Sequence, residues 1–129
     1  MKLSSQDKFL YSPYSISSSI SKTLSIVTNM HLIIDLCVVP MGVGVSVSPY
    51  VTECQKIIEK ADLKYRMHAY GTNIEGEWDE LMQVVKACHE KVHDMGAPRI
   101  NTTIKMGTRT DRTQSMEDKI KSVEDKLAK

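Results

Sequence analysis

The sequence predicts an α+β sandwich in which two helices cover one face of a four-stranded sheet. Three observations carry that prediction. Along residues 30–129 the hydrophobic period switches repeatedly between two and about 3.6. Turn chemistry falls between the switches rather than inside them. The resulting order, strand, helix, strand, strand, helix, strand and then an extra helix, closes through right-handed crossovers into a ferredoxin-like βαββαβ sandwich with an added C-terminal helix.

HLIIDLCVV, His31 to Val39, is β-branched and leucine-rich, too short for a helix and closed by Pro40 and glycines, so it reads as a strand. SPYVTECQKIIEKA follows, with Ser48 expected as N-cap and Pro49 at the first helical position. Its apolar residues Tyr50, Val51, Cys54, Ile57, Ile58 and Ala61 recur at helical spacing. LKYRMHAY and GTNIEG then alternate on either side of a tight turn near Tyr70 and Gly71, the pattern of a hairpin. From Trp78 the period lengthens again. Trp78, Leu81, Met82, Val85, Cys88, Val92 and Met95 make one stripe, ended by Gly96 and Pro98. RINTTIKMG alternates Ile100, Thr102, Ile104 and Met106 against Arg99, Asn101, Thr103 and Lys105, a half-buried strand. Ser115 and Asp118 form a capping box for a last helix whose expected inner edge is Met116, Ile120, Val123 and Leu127.

Two helices cover only one sheet face, so the other meets water or a partner. With Leu32, Ile34, Leu36 and Val38 turned to the helices, the first strand leaves His31, Ile33, Asp35, Cys37 and Val39 opposite. That row is too apolar for full solvation and too polar for a sealed core. Burying each large apolar side chain is worth about 1.5–3 kcal/mol, which favours covering the sheet with a sister copy. A homodimer or homotetramer is therefore the expected state, with polar groups held between sheets.

Composition bounds the rest. At 129 residues, 41% hydrophobic and 26% charged, the chain has the make-up of one domain. Residues 1–29 stand apart, with nine serines, Lys2, Lys8 and Lys22 against the single acid Asp7, and no sustained period. They are expected to be a disordered extension before a folded body of 30–129. Their serine content resembles an organelle transit peptide, but arginine is missing, so a cytoplasmic location is expected with import as the alternative. A net charge of +1 without any polybasic run argues against a nucleic-acid partner. Cys37, Cys54 and Cys88 include no C-x-x-C pair and read as reduced thiols. The most apolar stretch, Leu24 to Val39, is broken by Thr28, Asn29, His31 and Asp35, so no membrane span is expected.

For chemistry, GTNIEGEWDE gathers four carboxylates. Glu77, Asp79 and Glu80 fall in or beside the first turn of a helix, where the macrodipole favours them by about 0.3–1 kcal/mol each. Glu75, on a strand, remains the candidate site carboxylate. HEKVH, His89 to His93, fits H-E-x-x-H and extends through Gly96 to H-E-x-x-H-x-x-G. One helical turn apart, the two imidazoles suit a zinc ion with Glu90 as base, so a zinc hydrolase is a rival reading. The longer pattern needs a third histidine where the chain has Arg99, and Gly96 before Pro98 is also a helix stop. GVG lacks the third glycine of a dinucleotide fingerprint and reads as a turn. No Ser-His-Asp spacing is present. The expectation is a non-enzyme with no catalytic residue, metal or cofactor assigned.

VVPMG, SVSPYV, MHAYGTNIEGEWDELM and IKMGTRTDR, taken together, give residues 30–129 a close resemblance to the thiamine-binding protein family. The chain departs from the family pattern at Val43, Val45 and Glu77. The resemblance implies a ferredoxin-like fold assembled as dimers or tetramers, binding thiamine or its pyrimidine portion as a carrier or sensor, without turnover, and the site is expected between subunits. It implies a ligand set from the first glycine loop (Met41, Gly42, Ser46), the hairpin end (His68, Thr72), the strand and helix start beyond it (Glu75, Trp78) and the GTRTD loop (Thr108, Arg109). For such a ligand, Glu75 suits the exocyclic amine or the thiazolium cation, and backbone amides from Gly42 to Ser48 suit an anion. Trp78 either stacks on a ring or belongs to the core. Arg109, with Thr108 and Thr110, either holds an anionic tail or pairs with Asp111. His68 either reaches the ligand between subunits or pairs with Asp35, and the pairing is favoured. An oligomerisation domain without ligand is the remaining alternative.

Overall fold

The computed structural model describes residues 30–129, and the expected extension at 1–29 lies outside the described residues. The elements are β1 (His31–Met41), α1 (Ser48–Lys60), β2 (Lys64–His68), β3 (Gly71–Glu77), α2 (Trp78–Asp94), β4 (Arg99–Gly107) and α3 (Met116–Leu127). The strands form one antiparallel sheet in the order β2-β3-β1-β4. This is the expected ferredoxin-like α+β sandwich with its extra C-terminal helix. No helix among the described residues is long and apolar enough to cross a membrane.

Register explains the core. Ile34 faces Ile74, and Leu36 stands between Thr72 and Ile104, so one row of side chains points at the helices. Leu32, Ile34, Leu36 and Ile74 pack there with Ile58 of α1 and Leu81, Cys88 and Val92 of α2, all nearly sealed from solvent. The other row pairs Ile33 with Glu75, and Asp35 with Asn73 on one side and Lys105 on the other. Val84 is buried deeper than the expected Val85, because α2 packs on both α1 and the sheet and its apolar stripe is widened accordingly. Cys54 and Cys88 meet between the two helices. A hydrogen bond with the Cys54 thiol, followed by burial, raises the Cys88 pKa, so this thiol behaves as a small hydrophobe.

Two sequence expectations require correction. Ser48 is not the N-cap of α1. Val47 takes that place, and its carbonyl accepts the Tyr50 and Val51 amides at 3.0 and 3.1 Å. Those are the amides a capping Ser48 hydroxyl would have served, so it has no cap to make. The last helix starts as expected, with the Ser115–Asp118 capping box formed in both directions. Of its expected inner edge, however, only Met116 is buried, while Ile120, Val123 and Leu127 are 40%, 57% and 79% exposed. In a single chain α3 is held at its first turn, and its later turns carry their apolar edge into solvent.

Candidate functional site

Two cavities lie on opposite faces of the sheet. The first, of about 440 Å³, opens between α1 and the hairpin end. Leu36 and Val38 form its floor, Val47, Val51, Cys54, Gln55 and Ile58 its helical wall, and Met67 to Thr72 its rim. The lining is largely apolar apart from one built polar pair, in which Gln55 Nε2 donates to Thr72 Oγ1 at 2.7 Å. Thr72 is 3% exposed. An amide that donates in this way keeps its carbonyl oxygen as an acceptor, and the hydroxyl keeps its proton to give. The rim is fixed by Gly71, where an added Cβ would stand 2.7 Å from the Leu36 carbonyl oxygen. Any larger residue would push the hairpin off β1.

The second cavity, of about 510 Å³, lies on the face away from α1 and α2. Its floor is His31, Ile33, Asp35 and Asn73, and its sides are Lys105, Met106 and the segment from Thr108 to Gln114, with Lys119 of α3. Arg109 braces that segment, donating from Nε to Asp111 Oδ1 at 2.7 Å, from a terminal nitrogen to Asp111 Oδ2, and from the other to Gln114 Oε1 at 2.8 Å. The guanidinium holds the Asp111 carboxyl down at about 2, and Asp111 in turn raises the Arg109 pKa.

The remaining sequence candidates separate. Glu75, expected as a ligand carboxylate, is 5% exposed. Its Oε1 accepts the Met116 amide at 3.1 Å, and its Oε2 accepts from His31 Nε2 at 3.0 Å. The carboxylate thus receives the first amide of α3 beneath the second cavity and lines neither cavity. Trp78 is half-buried against the core and lines neither cavity. His68 makes the favoured pairing, Nε2 to Asp35 Oδ1 at 2.6 Å, while its Nδ1 accepts the Tyr70 amide at 3.3 Å. It also rims the first cavity. Met41, Gly42 and Ser46 are exposed and line neither cavity. Met41 lies eight residues beyond Ile33 on β1, a span of about 27 Å at strand rise, so one chain does not bring this loop to the GTRTD segment.

The H-E-x-x-H pair has local partners. His89 Nε2 is hydrogen-bonded to Thr102 Oγ1 at 2.6 Å, and His93 Nδ1 donates to the Ala97 carbonyl at 2.8 Å. Gly96, at φ +105°, gives its amide to His93 and the Ala97 amide goes to Val92, which makes the glycine a Schellman stop for α2. Among the described residues no three His, Cys, Asp or Glu side chains are grouped to hold a metal ion.

The family described as "Thiamine-binding protein" matches residues 34–124. The chain belongs to the thiamine-binding protein family. Among its relatives is a UPF0045 protein of Synechocystis sp., 64% identical over 95 residues, covering 74% of this chain and 78% of the relative. A UPF0045 protein of Eremothecium gossypii is 45% identical over 102 residues, covering 78% of this chain and 97% of the relative. Among solved structures, the hypothetical protein MJ1052 of Methanocaldococcus jannaschii superposes with a TM-score of 0.69 at 30% identity, over 74% of this chain and 97% of that one.

Three of the four segments that carry the thiamine-binding family resemblance meet at the helix-side cavity. VVPMG supplies Val38 and Val39, SVSPYV supplies Val47 and Val51, and MHAYGTNIEG supplies Met67 to Thr72. The fourth, IKMGTRTDR, lines the open-face cavity. Sequence reasoning missed Gln55. It lies one turn beyond Val51 and beside Cys54 on the inner side of α1, a polar residue at the edge of an apolar stripe, and that position was the available signal. It also missed Lys105, Arg112 and Lys119, whose convergence depends on how the segment after β4 folds back over the sheet.

Proposed function

We propose that this chain is a small-molecule binding protein of the thiamine-binding family, holding thiamine or a pyrimidine-containing relative in the helix-side cavity without converting it. The observation that carries the reading is the half-buried Gln55 bonded to the buried Thr72, the polar feature set into otherwise apolar walls where three family segments converge. An aminopyrimidine edge presents an amine donor beside a ring-nitrogen acceptor. The Gln55 carbonyl accepts from that amine, the Thr72 hydroxyl donates to the ring nitrogen, and Val47, Val51 and Met67 flank the ring. The cavity of about 440 Å³ is of ordinary size for such a ligand. The exposed Tyr70 stands at the mouth, where a cationic thiazolium would emerge. In the cell this is a carrier or sensor in the cytoplasm, working as a dimer or tetramer that covers the Cys37 and Val39 end of the open sheet face and the bare edge of α3.

The test is calorimetric titration and thermal shift with thiamine, its phosphates and hydroxymethylpyrimidine, followed by chromatography of the recovered ligand. Ligand at 100 times its dissociation constant adds about 2.7 kcal/mol of stability. Thr72→Val is expected to weaken binding about tenfold, the worth of one good hydrogen bond. Absence of any shift at millimolar ligand, or recovery of a converted compound, overturns the reading.

A further inference from the structure

The open-face cavity has a charge pattern that a neutral or cationic vitamin does not use. Lys105, Arg112 and Lys119 converge on it from β4, the following segment and α3. Among the described residues none of the three forms an ion pair. The acids nearby offset part of this charge: Asp35, the carboxylate of the lining, is bound by His68 and stands across from Lys105, while Asp111 and Asp118, bonded to Arg109 and to the Ser115 capping box, also have their pKa values lowered by Arg112. Three cations against one carboxylate still leave the lining net positive, which an anion between them relieves. The Thr108 and Thr113 hydroxyls complete a donor set of the kind that meets phosphate oxygens. At about 510 Å³, with Ile33 on its floor, the space exceeds a bare ion and offers an apolar surface to a ring or chain.

We propose that this cavity is a second binding site, for the phosphate group of a small phosphorylated molecule whose body rests on Ile33. The sheet separates it from the helix-side cavity: its floor is the Ile33, Asp35 and Asn73 row, whereas Leu36 and Thr72 face the other way. The proposal therefore stands whether or not the first cavity takes a pyrimidine.

Backbone amide NMR of the full chain tests it, titrating inorganic phosphate, pyrophosphate and phenyl phosphate against sodium chloride at matched ionic strength. Saturable shifts are expected at Thr108, Arg112, Thr113 and Lys119, with Gln55 and Thr72 still, and with phenyl phosphate tighter than inorganic phosphate. The double variant R112Q/K119Q alters two exposed side chains, so its spectrum elsewhere should match the parent, while affinity falls at least about tenfold. Shifts that never saturate, that chloride reproduces, or that survive the double variant overturn the site. Phenyl phosphate binding no tighter than inorganic phosphate overturns the claim for a phosphorylated body.

Discussion

On the helix-covered face of the sheet, Leu32, Ile34 and Ile74 retain 1% exposure or less, while one residue along each strand the opposite face carries His31, Ile33, Asp35 and Glu75. The first face is held by packing, in which neighbours are interchangeable in kind if not in shape. The second is held by pairings: His31 with Glu75, Glu75 with the Met116 amide, Asp35 with His68. Alternation along four strands thus divides the work. One row supplies the stability of the whole, and the other decides where the C-terminal segment lies and hence whether the open-face cavity has a roof.

The contrast can be broken most forcibly at Leu81, which is fully buried against the sheet. Leu81→Ala is expected to cost about 2–5 kcal/mol, read by denaturant unfolding as a lower midpoint at unchanged slope. A loss under 1 kcal/mol would show that the helix face is not the main source of stability. A smaller and local effect is expected at Glu75→Gln. Loss of a charged acceptor from the Met116 amide and His31 should cost about 1.5–3 kcal/mol. Hydrogen exchange should quicken in α3 and leave the Leu81 amide protected, and unaltered α3 protection would sink the assignment of Glu75 as its anchor. The smallest effect concerns Asp111, whose folded pKa is depressed to about 2 from its ordinary 3.8 by Arg109. A depressed carboxylate contributes stability that is present above 3.8 and is lost as pH falls through about 2. Carboxyl-carbon NMR should show the low midpoint, with Arg109→Gln moving it up toward the ordinary range. A midpoint indifferent to that substitution would mean that Arg109 is not its cause.

Every element of the body was legible in the sequence, because periods of two and 3.6 and the glycines and prolines between them are local signals. The Ser115–Asp118 box was legible for the same reason, its partners being three residues apart. What was not legible depends on distance along the chain. Spacing placed Glu75 on a strand, but its partners lie 41 and 44 residues away, and no local pattern announces them. The apolar edge of α3 reads as an inner edge from spacing alone, yet spacing does not say how far a helix follows the sheet. His68 succeeded although Asp35 lies 33 residues away with β3 between them, because alternation sets both on the open face. Of the candidate ligand residues, His68 and Thr72 reach one cavity and Thr108 and Arg109 the other, a division that only the three-dimensional path of the segment after β4 could decide.

Every residue of β2 is exposed, and the strand lies outermost in the sheet, so its outer backbone N–H and C=O groups form a free border. Such a border is a template on which further strands can be laid down. Lys64 and Arg66 stand along it at alternate positions on the open-face row. A second copy arriving border to border at β2 meets its own sign of charge, so joining two sheets through β2 is disfavoured.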